Sequence, residues 1–520
     1  MTDMETGKAN EMSPTEAACW FWSVVLTFVG LWVLLPFLFH SGYKPDVTEL
    51  QLIAKEWVLA TRKHPMLPAW ILEVFNILTC RAFIAPFIAS ALCTVITLFS
   101  VWRLARHVLS ERLALIGTFC MLPFWPITVE SIQYNHNSTL MACWTLTMLM
   151  FYNAFQINKK RWWIAAGITL GLGLHAKYTI ALLAFVILFY SLWIPRFRRY
   201  WKESGPWLTV SLSFAIFLPH LLWLHYAGFW TTTAYAVERH RYLSGIGSYL
   251  FCPLDWMVCQ LGLLLLSPLL LLIPSLRLKW KIRTPQSELE KETLQYLFCC
   301  MAVPFFAIAL VTAVLQVLAT AAYGYTLWFF LGVYLLLRFQ RQEGADIFRR
   351  TLRWTALAVS VMAIVFIVQA VASPYLMGKV RRFHFPMQEL GAECDRIWSS
   401  RFNGPCPYIS GHWSYAGNAA CAMKDRPSVH FYYDDIECSD ILPTGTWSTD
   451  DDVNQKGGLL LWDASEQDVP QWVCHRFPQA EMPPEILQLP YKTGAKIPPL
   501  RIGVAIVPPG SETKTENATK

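Results

Sequence analysis

The sequence predicts a polytopic α-helical membrane protein of about eleven transmembrane helices followed by a C-terminal extracytoplasmic α/β domain. Three observations predict it. Hydrophobic residues make up 55% of the 520-residue chain and charged residues 15%, whereas a soluble domain carries roughly a quarter of its residues charged. Long uncharged runs alternate with short basic clusters as far as about residue 373. Beyond that point the chain reads as ordinary globular sequence, so the expected division is a cytoplasmic tail at 1–17, a membrane domain at 18–373, an external domain at 374–510 and a disordered tail at 511–520.

A helix rising about 1.5 Å per residue needs about 20 apolar residues to cross about 30 Å of hydrocarbon. Spans are expected at 18–39, 82–102, 113–129, 138–156, 162–176, 178–195, 207–226, 254–275, 294–313, 316–337 and 354–373. No small-residue cleavage site follows the first span, which therefore reads as a retained anchor and not as a signal peptide. The stretch between Tyr296 and Leu337 carries no charge and suits a tight hairpin crossing twice.

Basic residues are held on the cytoplasmic side of a membrane. Alternate loops contain twenty lysines and arginines, in clusters such as Lys159, Lys160 and Arg161, against eight in the opposite loops. The N-terminus is thus expected inside and the C-terminal domain outside. The net charge of +7 is largely this topology signal, and no basic stripe with interleaved aromatics points to nucleic acid. Nine of the fourteen cysteines lie in or beside spans, where cysteine behaves as a small apolar residue. The other five, Cys394, Cys406, Cys421, Cys438 and Cys474, fall in the external domain, where an oxidising compartment permits disulfides.

The external loops concentrate polar residues that membrane crossing does not explain. In the first, Asp46 and Glu49 stand three apart, on one face if the chain turns helical after Pro45. Two such carboxylates can act as base, as metal ligand or as both; a solvated helix start with Asp46 as its cap is the plainer alternative. Arg62-Lys63-His64-Pro65 follows, with His64 readable as a turn residue or, beside the two carboxylates, as a ligand for a divalent metal. The second loop runs Tyr134-Asn135-His136-Asn137 into a span, and its amides suit hydroxyl or phosphate binding or simple helix capping. The Gly171 to Thr179 segment is the shortest connection in the chain and places Lys177 and Tyr178 at a membrane boundary. A lysine there either snorkels to the interface or meets an anion. His220 near the end of the seventh span, and Arg239 and Arg241 in the loop beyond it, complete the candidates.

Pro45-Asp46 with Glu49, Lys63-His64-Pro65 followed by Leu67-Pro68-Ala69-Trp70, Tyr134 to Thr139, Gly171 to Thr179, and Pro219-His220 with Trp223 occur in that order. In this the chain resembles the polyprenyl-phosphate-dependent glycosyltransferases of GT-C type, which include bacterial lipid A aminoarabinose transferases, protein O-mannosyltransferases and rhizobial galacturonosyltransferases. The resemblance covers roughly residues 18–245. It departs where Asp46 is followed by Val47 and His64-Pro65 by Met66, positions at which many members carry Asp-Glu and His-Pro-Pro.

The resemblance implies GT-C architecture in a bacterial inner membrane, a polyprenyl-phosphate sugar donor, membrane lipid around the spans and a cell-envelope glycan or glycolipid acceptor such as lipopolysaccharide or lipid A. It also implies Asp46 as general base, with Glu49 as a second acidic residue. Lys177, with Arg62, Lys63, Arg239 and Arg241, would then face the donor phosphate, and His64, Tyr134, Asn135, Asn137, Tyr178 and His220 would contact substrate. A divalent metal, where one is used, would fall to Asp46, Glu49 and His64.

The external domain is expected to hold a helix at Met387–Trp398 and strands at Ser428–Tyr433, Gly458–Trp462 and Arg501–Val507. The acidic runs Asp434-Asp435 and Asp450-Asp451-Asp452 could bind a cation, with solvated turn residues as the plainer reading. A transporter is the main rival, disfavoured by the lack of an inverted repeat or a mid-membrane acidic residue. An inactive scaffold of glycosyltransferase fold is the other.

Overall fold

The computed structural model describes residues 11–61, 63–227, 242–265, 279–340, 344–431, 448–465, 469–482, 484–493 and 495–510. Arg62, Arg239, Arg241, Asp434, Asp435 and Cys438 lie outside the described residues, as does the second half of the expected 254–275 span. Two compact units form. One comprises Met1–Pro36 and Ile84–Phe366, the other Phe37–Phe83 and Ile367–Lys520.

The first unit is helical. Among the described residues of the chain, seven helices are long and apolar enough to cross a membrane, or nine if each of two bent pairs counts as one span. The expected 113–129 span appears as a nine-residue helix, Glu111–Phe119, followed by turns. Pro123 and Pro126 explain the break, because each removes a backbone donor and clashes with the preceding turn. The 178–195 span becomes Ile180–Trp193 and then bends by 96° into Pro195–Lys202, with proline at the first position of the new helix. The 316–337 span is a 3₁₀ helix, Ala321–Trp328, bent 49° from Leu331–Arg338. Buried Gln260, from the Ser248–Leu265 helix, supports this segment: its Nε2 donates to the Ala321 carbonyl and its Oε1 accepts from Trp328 Nε1, both at 3.0 Å. A short ribbon pairs β1 (Lys279–Ile282) with β2 (Phe339–Gln340).

The Lys160–Ala176 and Ser204–Ala227 helices approach closely because one presents glycines to the other. A Cβ on Gly167 would meet the Thr209 carbonyl at 2.9 Å, and one on Gly171 would meet Ile216 Cβ at 2.9 Å. This small-residue spacing lets helices pack where lipid supplies no hydrophobic drive. Gly171→Leu is therefore expected to lower the thermal midpoint of the purified protein through overpacking worth about 1–3 kcal/mol. Gly30→Ala, where a Cβ finds nothing within 4 Å, is the control that should melt at or slightly above the wild-type temperature. Identical melting of the two variants in a fluorescence-monitored ramp would refute the close-packing account.

The second unit contains a five-stranded sheet in the order β4-β3-β5-β7-β6. Its strands are β3 (Tyr408–Gly411), β4 (Ser428–Phe431), β5 (Gly458–Asp463), β6 (Glu485–Leu489) and β7 (Leu500–Val507). The first three run parallel, and β7 is antiparallel to both its neighbours. Leu459, Leu460 and Leu461 are all fully buried, the continuous apolar run of a strand covered on both faces. Helices Met387–Ser399 and Trp413–Ala422 pack together.

The first loop segment, assigned from sequence to the membrane domain, clusters with this sheet unit. Its Pro45–Glu56 helix lies against the Trp413–Ala422 helix, where the Cβ that Gly417 lacks would stand 3.1 Å from both Leu52 Cδ1 and Thr48 Cγ2. Arg426 fixes the arrangement: its Nη1 donates to both Glu73 oxygens at 2.9 and 3.0 Å and its Nη2 to the Gln51 carbonyl at 2.9 Å.

The run Asp450 to Asp452, expected in a turn, instead forms the first turn of the Asp450–Lys456 helix, where carboxylates complement the helix dipole. Thr449 caps it, accepting from the Asp452 N–H at 3.1 Å. Asp450 lies 2.6 Å from His430 Nε2 and accepts from Arg476 Nε at 2.8 Å. Burial pushes the Asp450 carboxyl upward, but His430 and Arg476 outweigh it and hold it at about 2. Cys394, Cys406, Cys421 and Cys474 are free thiols.

Candidate active site

The candidate residues form two constellations, one in each unit. In the sheet unit, the Pro45–Glu56 helix starts at Lys44, which takes the cap position with extended backbone, and Pro45 is the first helical residue. Asp46 is therefore not the cap. It sits in the first turn, half-buried, where the helix dipole favours a carboxylate. Glu49 follows one turn later on the same face, buried, and accepts from Lys63 Nζ at 2.8 Å. Lys63, expected near a phosphate, is thus committed to Glu49.

His64 belongs to a tight turn. Thr61 Oγ1 accepts from the Lys63 and His64 N–H groups, both at 3.3 Å, and Ala60 bridges to Pro65. Among the described residues no three His, Cys, Asp or Glu side chains converge to hold a metal ion.

In the helical unit, the His136–Ile157 helix begins with a capping box. Asn135 Oδ1 accepts from the Asn137 and Ser138 N–H groups at 2.9 and 3.2 Å. Asn135 is itself buried, and Tyr134, fully buried, accepts from Thr139 Oγ1 at 3.0 Å. These two build the helix start, whereas Asn137 turns its side chain to Lys177, whose Nζ donates to Asn137 Oδ1 at 2.8 Å. Lys177 ends the Lys160–Ala176 helix in extended backbone, and its ammonium stands 5.1 Å from the Tyr323 ring centroid.

The next residue, Tyr178, places its hydroxyl 2.7 Å from His220 Nε2, and the His220 ring stacks on Trp223 at 5.9 Å. Pro219 within the Ser204–Ala227 helix removes one backbone bond of that helix. Nearby, the Ile216 carbonyl lies 2.9 Å from His175 Nε2. Half-buried Lys177 is therefore held between an amide and an aromatic face, an arrangement that presents a positive charge at the N-terminal turn of a helix.

Tyr323 was not legible as a site residue, because nothing in its local sequence marks it. The buried polar group of Gln51, Glu73, Asn76 and Arg426 was missed as well. Its signal was present: Glu73 and Asn76, three apart, interrupt the otherwise apolar Leu67–Leu78 helix.

Residues 63–223, which hold Lys63, His64 and the Lys177 constellation apart from Tyr323, match the family model of dolichyl-phosphate-mannose-protein mannosyltransferases. Two curated relatives from strains of Pseudomonas fluorescens are undecaprenyl phosphate-alpha-4-amino-4-deoxy-L-arabinose arabinosyl transferases. One is 24% identical over 225 residues, 40% of this chain and 41% of the relative. The other is 24% identical over 293 residues, 52% of this chain and 51% of the relative. The chain thus spans about two-fifths to half the length of the curated relatives it matches. The crystal structure of ArnT from Cupriavidus metallidurans bound to undecaprenyl phosphate superposes with a TM-score of 0.61 at 13% identity, covering 96% of this chain and 100% of that one. The apo form of the same protein gives 0.58. Among its described residues the chain has several helices long and apolar enough to cross a membrane; it shares the fold of the ArnT structures and, over residues 63–223, is similar to the dolichyl-phosphate-mannose-protein mannosyltransferase family model.

Proposed function

We propose that this protein transfers a sugar from a polyprenyl-phosphate donor to a hydroxyl of a cell-envelope glycolipid, of the lipopolysaccharide or lipid A class, on the outer side of the cytoplasmic membrane. The observation that carries the reading is the Lys177–Asn137 pair, a cation fixed at a helix N-terminus inside the segment that matches the mannosyltransferase model. The names of the curated relatives support a polyprenyl-phosphate donor. The excess of basic residues on alternate loops supports an external position for the first loop and the C-terminal domain.

In this reading the acceptor oxygen attacks C1 of the sugar opposite the phosphate. The bond from C1 to the phosphate oxygen breaks, its electron pair passes to the departing polyprenyl phosphate, and the acceptor proton goes to the Asp46 carboxylate. Lys177 stabilises the charge that grows on the leaving phosphate. Glu49, neutralised by Lys63, shapes the helix that carries Asp46.

The test is turnover in proteoliposomes with a radiolabelled polyprenyl-phosphate sugar and an envelope glycolipid. Lys177→Gln should lower kcat by about 10²–10³ while leaving the thermal midpoint near that of the wild type. A variant that turns over at the wild-type rate removes Lys177 from the reaction.

A further inference from the structure

The sheet unit contains a cavity that the proposed chemistry leaves unused. It measures about 470 Å³ and opens at the carboxyl ends of the parallel strands. In the order β4-β3-β5, the chain leaves β3 toward β4 on one side and returns to β5 on the other. Ligands of open α/β sheets bind where connections diverge in this way, in the crevice beyond the strand ends. Here those ends are β3, which runs into His412 and Trp413, and β5, which ends at Asp463, and all three residues line the cavity. Gly411, with φ of +146°, makes the turn out of β3 against the Leu461 carbonyl, where no side chain fits.

The lining combines three chemistries. Trp413, Tyr415 and Tyr491 supply aromatic surface. Arg381, Arg382 and Arg501 outnumber the Asp463 carboxylate three to one, and the Arg382 guanidinium stands 5.5 Å from the Trp413 ring centroid. Asp463 accepts from Tyr415 Oη at 2.8 Å and from the Ser465 N–H at 2.9 Å, which outweighs its burial and keeps its pKa below the ordinary value. Asn418 adds an orphan. It is only 5% exposed; its Nδ2 donates to the Ser414 carbonyl at 2.6 Å, yet its buried Oδ1 has no hydrogen-bond partner among the described residues. A buried acceptor left open in this way calls for a donor from a ligand.

We propose that this cavity binds an anionic sugar, with its ring against Trp413 and Tyr415, its hydroxyls on Asp463 and Asn418 Oδ1, and its phosphate or carboxylate on Arg382 and its neighbouring arginines. Pro45 lines the same cavity and immediately precedes Asp46. The bound sugar is accordingly a unit of the acceptor, and that assignment rests on the transferase reading above.

Isothermal titration of the full-length protein in detergent decides the matter, with glucose 1-phosphate, glucuronic acid, glucose and inorganic phosphate as probes. At least one of the two anionic sugars should bind with a Kd ten-fold or more below those of glucose and inorganic phosphate. Arg382→Gln should erase that preference, and Asn418→Ala should weaken the same sugar several-fold, both with unchanged thermal midpoints. Glucose binding as tightly as both acids, inorganic phosphate binding as tightly as glucose 1-phosphate, or an Arg382→Gln protein that binds like the wild type would each overturn the proposal. Acceptor KM separates this failure from that of the transferase reading. Normal turnover with an unchanged acceptor KM in both variants sinks the cavity alone, whereas tight sugar binding by a protein that transfers nothing sinks the transferase and leaves the cavity.

Discussion

Arg426→Met should destabilise the sheet-bearing unit by about 3–5 kcal/mol, the usual result of removing one partner from a buried ion pair. The side chains of Arg426 and Glu73 are 7% and 8% exposed. With the guanidinium gone, the Glu73 carboxylate keeps, among the described residues, the Asn76 amide at 2.9 Å and loses the Arg426 countercharge. The Gln51 carbonyl loses a donor at the same time. Because both Gln51 and Glu73 belong to the first loop, the damage should spread to the helix that carries Asp46. Heat-dependent proteolysis of the full-length protein, read by the appearance of fragments cut in residues 37–83 and beyond 367, measures the loss. The double variant Arg426→Met with Glu73→Leu should recover much of it, since replacing both charges by apolar groups of similar volume is close to neutral. A single variant as resistant as the wild type, or a double variant no better than the single one, would show that the pair does not hold this segment.

Asp46→Asn should lower kcat by about 10²–10⁴ with little change in donor KM, the contribution expected of a positioned general base. The amide keeps the size of the side chain and its place in the first helical turn, so folding should survive. Glu49→Gln is the informative partner. Glu49 already holds Lys63 at 2.8 Å, so neutralising it breaks an ion pair that is 23% and 10% exposed and should perturb the loop without removing the proton acceptor. A milder fall in kcat, restored in part by Lys63→Met, is expected for Glu49→Gln. The assignment of Asp46 would not survive the reverse order, with Glu49→Gln inactive and Asp46→Asn nearly normal.

Much of the membrane-domain architecture was legible because apolar length is a one-dimensional property. The helices Pro14–Phe39, His136–Ile157, Ser204–Ala227 and Glu288–Leu315 lie close to where their uncharged runs stand. One expected span departs from its composition: at 113–129 the helix ends at Phe119, and Pro123 and Pro126 follow in turns, whereas 316–337 keeps its apolar length as a pair of helices bent by 49°. Hydropathy counts side chains and does not count backbone hydrogen bonds.

In the sheet unit, β5 and β7 were visible as apolar runs of the right length, whereas β3 is a four-residue strand and β6 is half-exposed. Strands that short, or that weakly patterned, take their stability from neighbours and leave little local trace.

The sequence by itself determined that the chain carries many apolar runs of membrane-crossing length and that polar residues gather in a few of the stretches between them. These follow from charge, length and order, which no folding step alters. Only the tertiary structure decided what each side chain is committed to: Lys63 to Glu49, Asn135 to a helix start, Lys177 to Asn137 and Tyr323, and Arg426 to Glu73 across 353 positions of sequence. Pairings of that kind depend on distances of a few ångströms between segments far apart in the chain, and no spacing within either segment encodes them.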